Sequence, residues 1–203
     1  MPLKRNLHKA AIRGKLGQVP KELLTNENLT AYDIYGDTLF HKAASKGTLD
    51  KLPKELITET NFLTISKMGF TVFDVAAMYG HLDQIPDELL TDNVMVRSGI
   101  SVLHLAAGQG HLDQVPRRLL TEDNLLVPIT DPKFTGLVGK TTLHQANSNG
   151  HLDQLLGVEL SERVRHIVGT NWYNRNQGVC EEMRKSKMSL ATEECDEYDI
   201  ELF

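Results

Sequence analysis

Cysteine is scarce in these 203 residues, with only Cys180 and Cys195, both near the C-terminus. A disulfide framework would spread cysteines through the folded body, so cross-links are excluded as the source of stability. The pair also lacks the close C-x-x-C spacing of a redox motif. Two free thiols point to a reducing compartment, and a cytoplasmic location is expected. Aromatic residues make up 6% of the chain, which leaves the core to Leu, Ile, Val and Ala. No apolar run approaches the ~18 residues needed to span a bilayer. The basic start, "MPLKRNLHKAAIRGKLGQVP", has no apolar stretch of the kind a secretory signal carries. No membrane partner is expected.

Charge of one sign is nearly missing from the body as a sum. The last sixteen residues, "MSLATEECDEYDIELF", hold six carboxylates and no Lys or Arg, so the net −5 of the chain leaves +1 for residues 1–187. No long basic run is present to track phosphates, which argues against nucleic-acid binding. The run "GLVGKTTLHQA" at 136–146 ends like a phosphate-binding loop. That loop requires G-x-x-x-x-G-K-[ST], and its first glycine would fall at Phe134. Nucleotide binding is therefore not expected, and no cofactor is.

What the chain does have is an internal repeat. "GHLDQIPDELLTDN" at 80–93 recurs as "GHLDQVPRRLLTEDN" at 110–124 and "GHLDQLLGVELSE" at 150–162, with weaker copies at 14–28 and 47–61. The leading glycines are Gly14, Gly47, Gly80, Gly110 and Gly150, spaced by 33, 33, 30 and 40 residues. A second recurring run precedes each glycine, as in "TLFHKAASKG" and "SVLHLAAGQG". Thr38, Thr71, Ser101 and Thr141 stand where a helix N-cap belongs. The apolar residues and Ala pair that follow give one closely packable helix face. The glycine ends that helix in a left-handed conformation. Pro20, Pro53, Pro86 and Pro116 then predict the first turn of a second, short or bent helix, after which Thr25, Thr58, Thr91 and Thr121 can cap a further turn.

At these residues the chain resembles the ankyrin repeat family. The family's T-P-L-H-x-A-A-x-x-G-H-L pattern stands here as "SVLHLAAGQGHL" and "TTLHQANSNGHL", at a period near 33. The "GHLDQ-P" style is similar to arrays of bacterial, phage or large-virus type. Two departures are visible, since the motif's proline is replaced throughout by Leu, Val or Thr, and the second helix starts late. The resemblance implies an all-α solenoid of about five helix-turn-helix units with hairpin fingers. Their expected limits are about 5–35, 36–68, 69–98, 99–138 and 139–160, followed by a helical cap over 161–189 and an acidic tail over 190–203.

Seven of the eight histidines fill two repeated slots, T-x-L-H and G-H-L. Units packed about 10 Å apart cannot share an ion that needs its ligands ~2 Å away, so no metal site is expected. The resemblance implies that these histidines bond backbone groups of the connecting loops. No nucleophile–base–orienter set emerges, and the protein is expected not to be an enzyme.

The resemblance further implies recognition of a protein partner through a concave groove by a monomer, acting as an inhibitor or effector. Contact positions would be the hairpin tips and the residues before each helix-ending glycine. They are Tyr35, Lys67, Met68, Phe70, Met78, Tyr79, Arg97 and Ile100, several of them large and apolar where polar residues are the rule. The fourth unit carries about seven extra residues in "VPITDPKFTGLVG" (127–139), with Phe134 at the tip. Both a partner contact and a tolerated change of length are open for it. An alternative reading places recognition in the acidic tail, as a short motif or nucleic-acid mimic, with the array as scaffold.

Overall fold

The computed structural model describes residues 2–95 and 99–155, together with 158, 161 and 164. Every regular element among them is helical, and the only strand-like feature is a single bridge between Pro128 and Thr141. Two compact units divide the chain, Met1–Glu159 and Leu160–Phe203. The expected cap and tail fall in the second unit and, Ser161 and Val164 apart, lie outside the described residues.

The principal helices are α1 (Pro2–Ile12), α3 (Leu39–Lys46), α5 (Val72–Tyr79), α7 (Val102–Gln109) and α9 (Thr142–Asn149). Between them lie four short ones, α2 (Asn26–Thr30), α4 (Glu59–Phe62), α6 (Asp92–Met95) and α8 (Glu122–Leu126). Each eight-residue helix starts on a hydroxyl N-cap, at Thr38, Thr71, Ser101 and Thr141, and ends on a left-handed glycine, Gly47, Gly80, Gly110 and Gly150. Eight residues are too few for a helix to persist alone in water, so burial must hold these. Successive helices pack in chain order, α1 on α3, α3 on α5, α5 on α7 and α7 on α9. The alanine pairs at 43–44, 76–77 and 106–107 are fully buried between them.

The second half of each unit departs from the expected single helix. Leu16–Gln18, Leu49–Lys51, Leu82–Gln84 and Leu112–Gln114 each make one 3₁₀ turn, and a second 3₁₀ turn follows the proline. The prolines stand outside the helix, extended, at ψ near 130° (Pro86 φ −53, ψ 133). The cause is local. A proline ring clashes with an α-conformation in the residue before it, and Ile85 is accordingly extended at ψ 131. The helical turn begun by Leu-Asp-Gln therefore cannot continue. Thr25, Thr58 and Thr121 then cap α2, α4 and α8, each accepting from the N–H of an asparagine three residues on. The same asparagines return their amides to the carbonyls of Leu23, Leu56 and Leu119, 2.8–2.9 Å away, closing the preceding 3₁₀ turn.

Units are joined through backbone. A Cβ placed on Gly80 would come within 2.7 Å of the His111 ring, and Gly47 and Gly110 meet His81 and His151 in the same way. Gln84, Gln114 and Gln154 accept the N–H of Leu49, Leu82 and Leu112 at 2.9–3.0 Å. Gln114 and Gln154 also donate to the carbonyls of Gly80 and Gly110. Phe40, Phe62 and Phe73 form an edge-to-face run through the core, with centroids 5.5–5.6 Å apart. Gly80 and Gly150 share a left-handed backbone, but among the described residues only Gly80 of the two has a ring against its Cα. Gly150→Ala should cost about 1–2 kcal/mol for its conformation, and Gly80→Ala about 1–3 kcal/mol more for overpacking. Equal losses in urea unfolding would contradict this packing.

Two of the T-x-L-H histidines, His41 and His104, tie a helix N-cap to the finger ahead. The His41 Nε2 lies 3.1 Å from the Phe70 carbonyl, which can only accept, so the proton sits on Nε2. Nδ1 is then free to accept from the Thr38 N–H and hydroxyl. His104 repeats the arrangement between Ser101 and the Val127 carbonyl, at 2.9 Å. Asp74 takes the slot in α5 and accepts from both Thr71 groups at 2.7 Å. Burial holds the pKa of His41 and His104 below the ordinary 6.5, because the charged form loses its hydration. Protonation would also turn Nδ1 into a donor facing another donor. The unfolded chain therefore binds protons first on acidification. The stability these two residues protect is whole above about pH 6.5 and declines as pH falls through that value toward their folded pKa. Denaturation followed from neutral to mildly acidic pH should show this slope, and a His41→Gln, His104→Gln variant should flatten it.

Candidate functional site

The turns between units form a row of fingers, and the first two carry five of the exposed large apolar side chains. In the first finger the Asp33 carboxylate accepts the N–H of Tyr35 at 2.8 Å and of Asp37 at 3.0 Å. Gly36, with φ +78, closes the turn through its N–H to the Asp33 carbonyl. Lys42 reaches from α3 to pair with Asp37 and Asp33, and its ammonium lies 5.6 Å from the centre of the Tyr35 ring. Burial works to raise the pKa of Asp33, but the two backbone N–H bonds and Lys42 outweigh it and the value is lowered. Burial likewise opposes charge on Lys42, and the hydrogen bond and charges of Asp37 and Asp33 raise its pKa in spite of it. The first finger is thus tied to the helix behind it.

The second finger repeats the design with Ser66 in place of aspartate. Its N–H donates to the Phe70 carbonyl and its hydroxyl accepts the Phe70 N–H. The two fingers are joined by the Lys67 N–H to the Gly36 carbonyl at 2.9 Å and by the Tyr32 hydroxyl to the Ile65 carbonyl at 3.3 Å. A side chain at Gly36 would collide with Lys67, its Cβ falling 2.3 Å from that of the lysine. Five large apolar residues project from this joined pair. Ile34 is 87% exposed, Met68 73% and Tyr35 66%, and Tyr32 and Ile65 are exposed beside them.

The expected contact residues separate into groups. Tyr35, Lys67 and Met68 are exposed on the first two tips, and Phe70 is half-buried at the base of the second. Met78 and Tyr79 sit at the far end of α5, about 12 Å along the helix at 1.5 Å per residue. There Tyr79 is exposed and Met78 half-buried. Ile100 is half-buried in the third finger, and Arg97 lies outside the described residues. Tyr32, Ile34 and Ile65 were not anticipated. Their signal is present in "TAYDIYGD" and "LTISKMGF", where large apolar residues recur inside a turn that physics would otherwise keep polar.

The long fourth-unit loop folds back along the row. From the second-half threonine to the next N-cap is 13 residues in the first two units, 10 in the third and 20 in the fourth. The longer loop crosses the shortened finger. The Thr130 N–H donates to the Gly99 carbonyl and its hydroxyl accepts the Gly99 N–H, both at 3.0 Å. Beyond it, Phe134 meets Phe70 of the second finger with centroids 6.3 Å apart, half-burying both rings.

Among the described residues, no group of three or more His, Cys, Asp or Glu could hold a metal, and no helix is long and apolar enough to cross a membrane. No protein-family model matches the chain, and no curated protein matches it. The Phe70–Phe134 contact is worth about 0.5–1.5 kcal/mol. Phe134→Ala should therefore speed amide exchange across 130–138 while leaving exchange in α5 and α7 unchanged. Unaltered exchange in the loop would show that the ring contact does not hold it.

Proposed function

We propose that the protein is a non-catalytic recognition module of ankyrin-repeat type, about five units long, that binds a protein partner on its finger row. One observation carries this reading. Tyr32, Ile34, Tyr35, Ile65 and Met68 stand exposed together on two fingers that are bonded to each other and braced from behind by Lys42. Single exposed apolar residues are ordinary on a protein surface. Five on adjacent, backbone-fixed turns form a preorganised patch, which lowers the ordering cost of binding. Two tyrosines among them, with Lys67 at the edge, match the composition of interface hot spots. The repeating N-caps, the left-handed glycines and the packing of helices in chain order support the array.

The test is quantitative capture of a partner by the immobilised full chain, compared with an Ile34→Ser, Tyr35→Ala, Met68→Ala variant of unchanged helicity. Loss of at least about tenfold in affinity is expected, since central hot-spot residues each carry ~2 kcal/mol or more. Equal affinity of the variant sinks the finger reading. Loss confined to a chain with Glu193, Glu194, Glu197 and Glu201 changed to Gln moves recognition to the acidic tail.

A further inference from the structure

The near-neutral sum of the body conceals a strongly basic end. Residues 1–24 hold Lys4, Arg5, Lys9, Arg13, Lys15 and Lys21 against the single carboxylate of Glu22. Three of these cations, Lys9, Arg13 and Lys15, line an open groove of about 460 Å³ together with Asn6, Gln18 and Val19. No carboxylate lines it. Among the described residues none of the three cations has an ion-pair partner.

The repeat register says what this groove is built to hold. Gln18 occupies the position of Gln84, Gln114 and Gln154, whose amides bind the backbone of the preceding unit. Lys15 occupies the position of His81, His111 and His151, whose rings lie on the preceding unit's glycine. Asn6 stands where Leu39, Val72 and Val102 are buried. By register this face corresponds to the one through which later units meet a preceding backbone, and among the described residues no segment covers it. Solubility alone is served by mixed charge, whereas a field of one sign serves steering. We infer that this groove binds an acidic peptide segment of a partner protein, with Gln18 taking its backbone and Lys9, Arg13 and Lys15 its carboxylates. The site is separate from the finger row and does not depend on it.

A labelled oligoglutamate peptide titrated against the full chain tests this by fluorescence anisotropy, with oligoglutamine as the uncharged control. Saturable binding is expected for oligoglutamate alone, weakening as salt rises and the Debye length shortens. A Lys9→Glu, Arg13→Glu, Lys15→Glu variant should bind at least about tenfold more weakly, because three attractive contacts become repulsive. Gln18→Ala should weaken binding about threefold without altering its salt dependence. All four side chains are exposed, so helicity should be retained in each variant. Affinity unchanged by the triple reversal, or equal binding of oligoglutamine, overturns the proposal. So does tighter binding once Glu193, Glu194, Glu197 and Glu201 are changed to Gln, because the groove would then belong to the chain's own acidic run.

Discussion

The third, fourth and fifth units are each fastened to the one before through backbone atoms that a short helix leaves unpaired. An eight-residue helix ends after two turns with orphan carbonyls and an exposed peptide edge. Here that edge belongs to a left-handed glycine, and the next unit's imidazole lies directly against it. The glutamine three residues later takes the N–H of the following leucine and, in the last two joints, the glycine carbonyl as well. Each such bond contributes only ~1 kcal/mol net, but leaving those groups buried and unpaired would cost as much or more. The contact is specific to glycine twice over, through its φ and through the missing Cβ. That is why the G-H-L-D-Q run is the most regular stretch of the sequence.

Comparison with other inter-unit contacts shows which of them matter. Arg118 pairs with the Asp87 carboxylate at 2.9 Å, yet both side chains are largely exposed, and such pairs contribute ~0–1 kcal/mol. The same guanidinium also bonds the carbonyls of Leu90 and Asp87, so its use lies in closing a 3₁₀ turn as much as in charge. The buried phenylalanine run and the alanine pairs supply apolar burial, while histidine and glutamine set the register in which that burial occurs. Register is the scarcer quantity in a chain of near-copies, because several alignments would bury similar area.

The first helix of every unit was legible because its signals are local. Thr38, Thr71, Ser101 and Thr141 cap it, a glycine ends it, and each lies within a few residues of what it controls. The second half misled because Pro86 and its equivalents satisfy the usual rule for a first helical turn. A competing rule, the constraint proline places on Ile85, acts on the residue before and prevails. At the surface, Tyr35 and Met68 could be located from the position of the glycine turn. Ile34 and Tyr32 are marked locally as large apolar residues inside a turn, but their gathering into one patch depends on how one finger leans on the next through Gly36 and Lys67. The return of Phe134 to Phe70 spans 64 positions and leaves no mark in either local sequence.

Two irregularities in the array, the short third connection and the long fourth one, meet in space. In α3 and α7 the repeated histidine donates to a carbonyl of the finger ahead, Phe70 or Val127. In α5 the slot holds Asp74, whose carboxyl accepts from the N–H and the hydroxyl of Thr71. The finger ahead of α5 is the one shortened to a 10-residue connection. It is also the one crossed by the long loop, where Thr130 bonds Gly99 with both its N–H and its hydroxyl. The loop thereby fastens the shortened finger from outside by two hydrogen bonds. On this account the extra residues of the fourth unit are coupled to the missing ones of the third, and the loop is a brace of the finger row whether or not a partner also touches it.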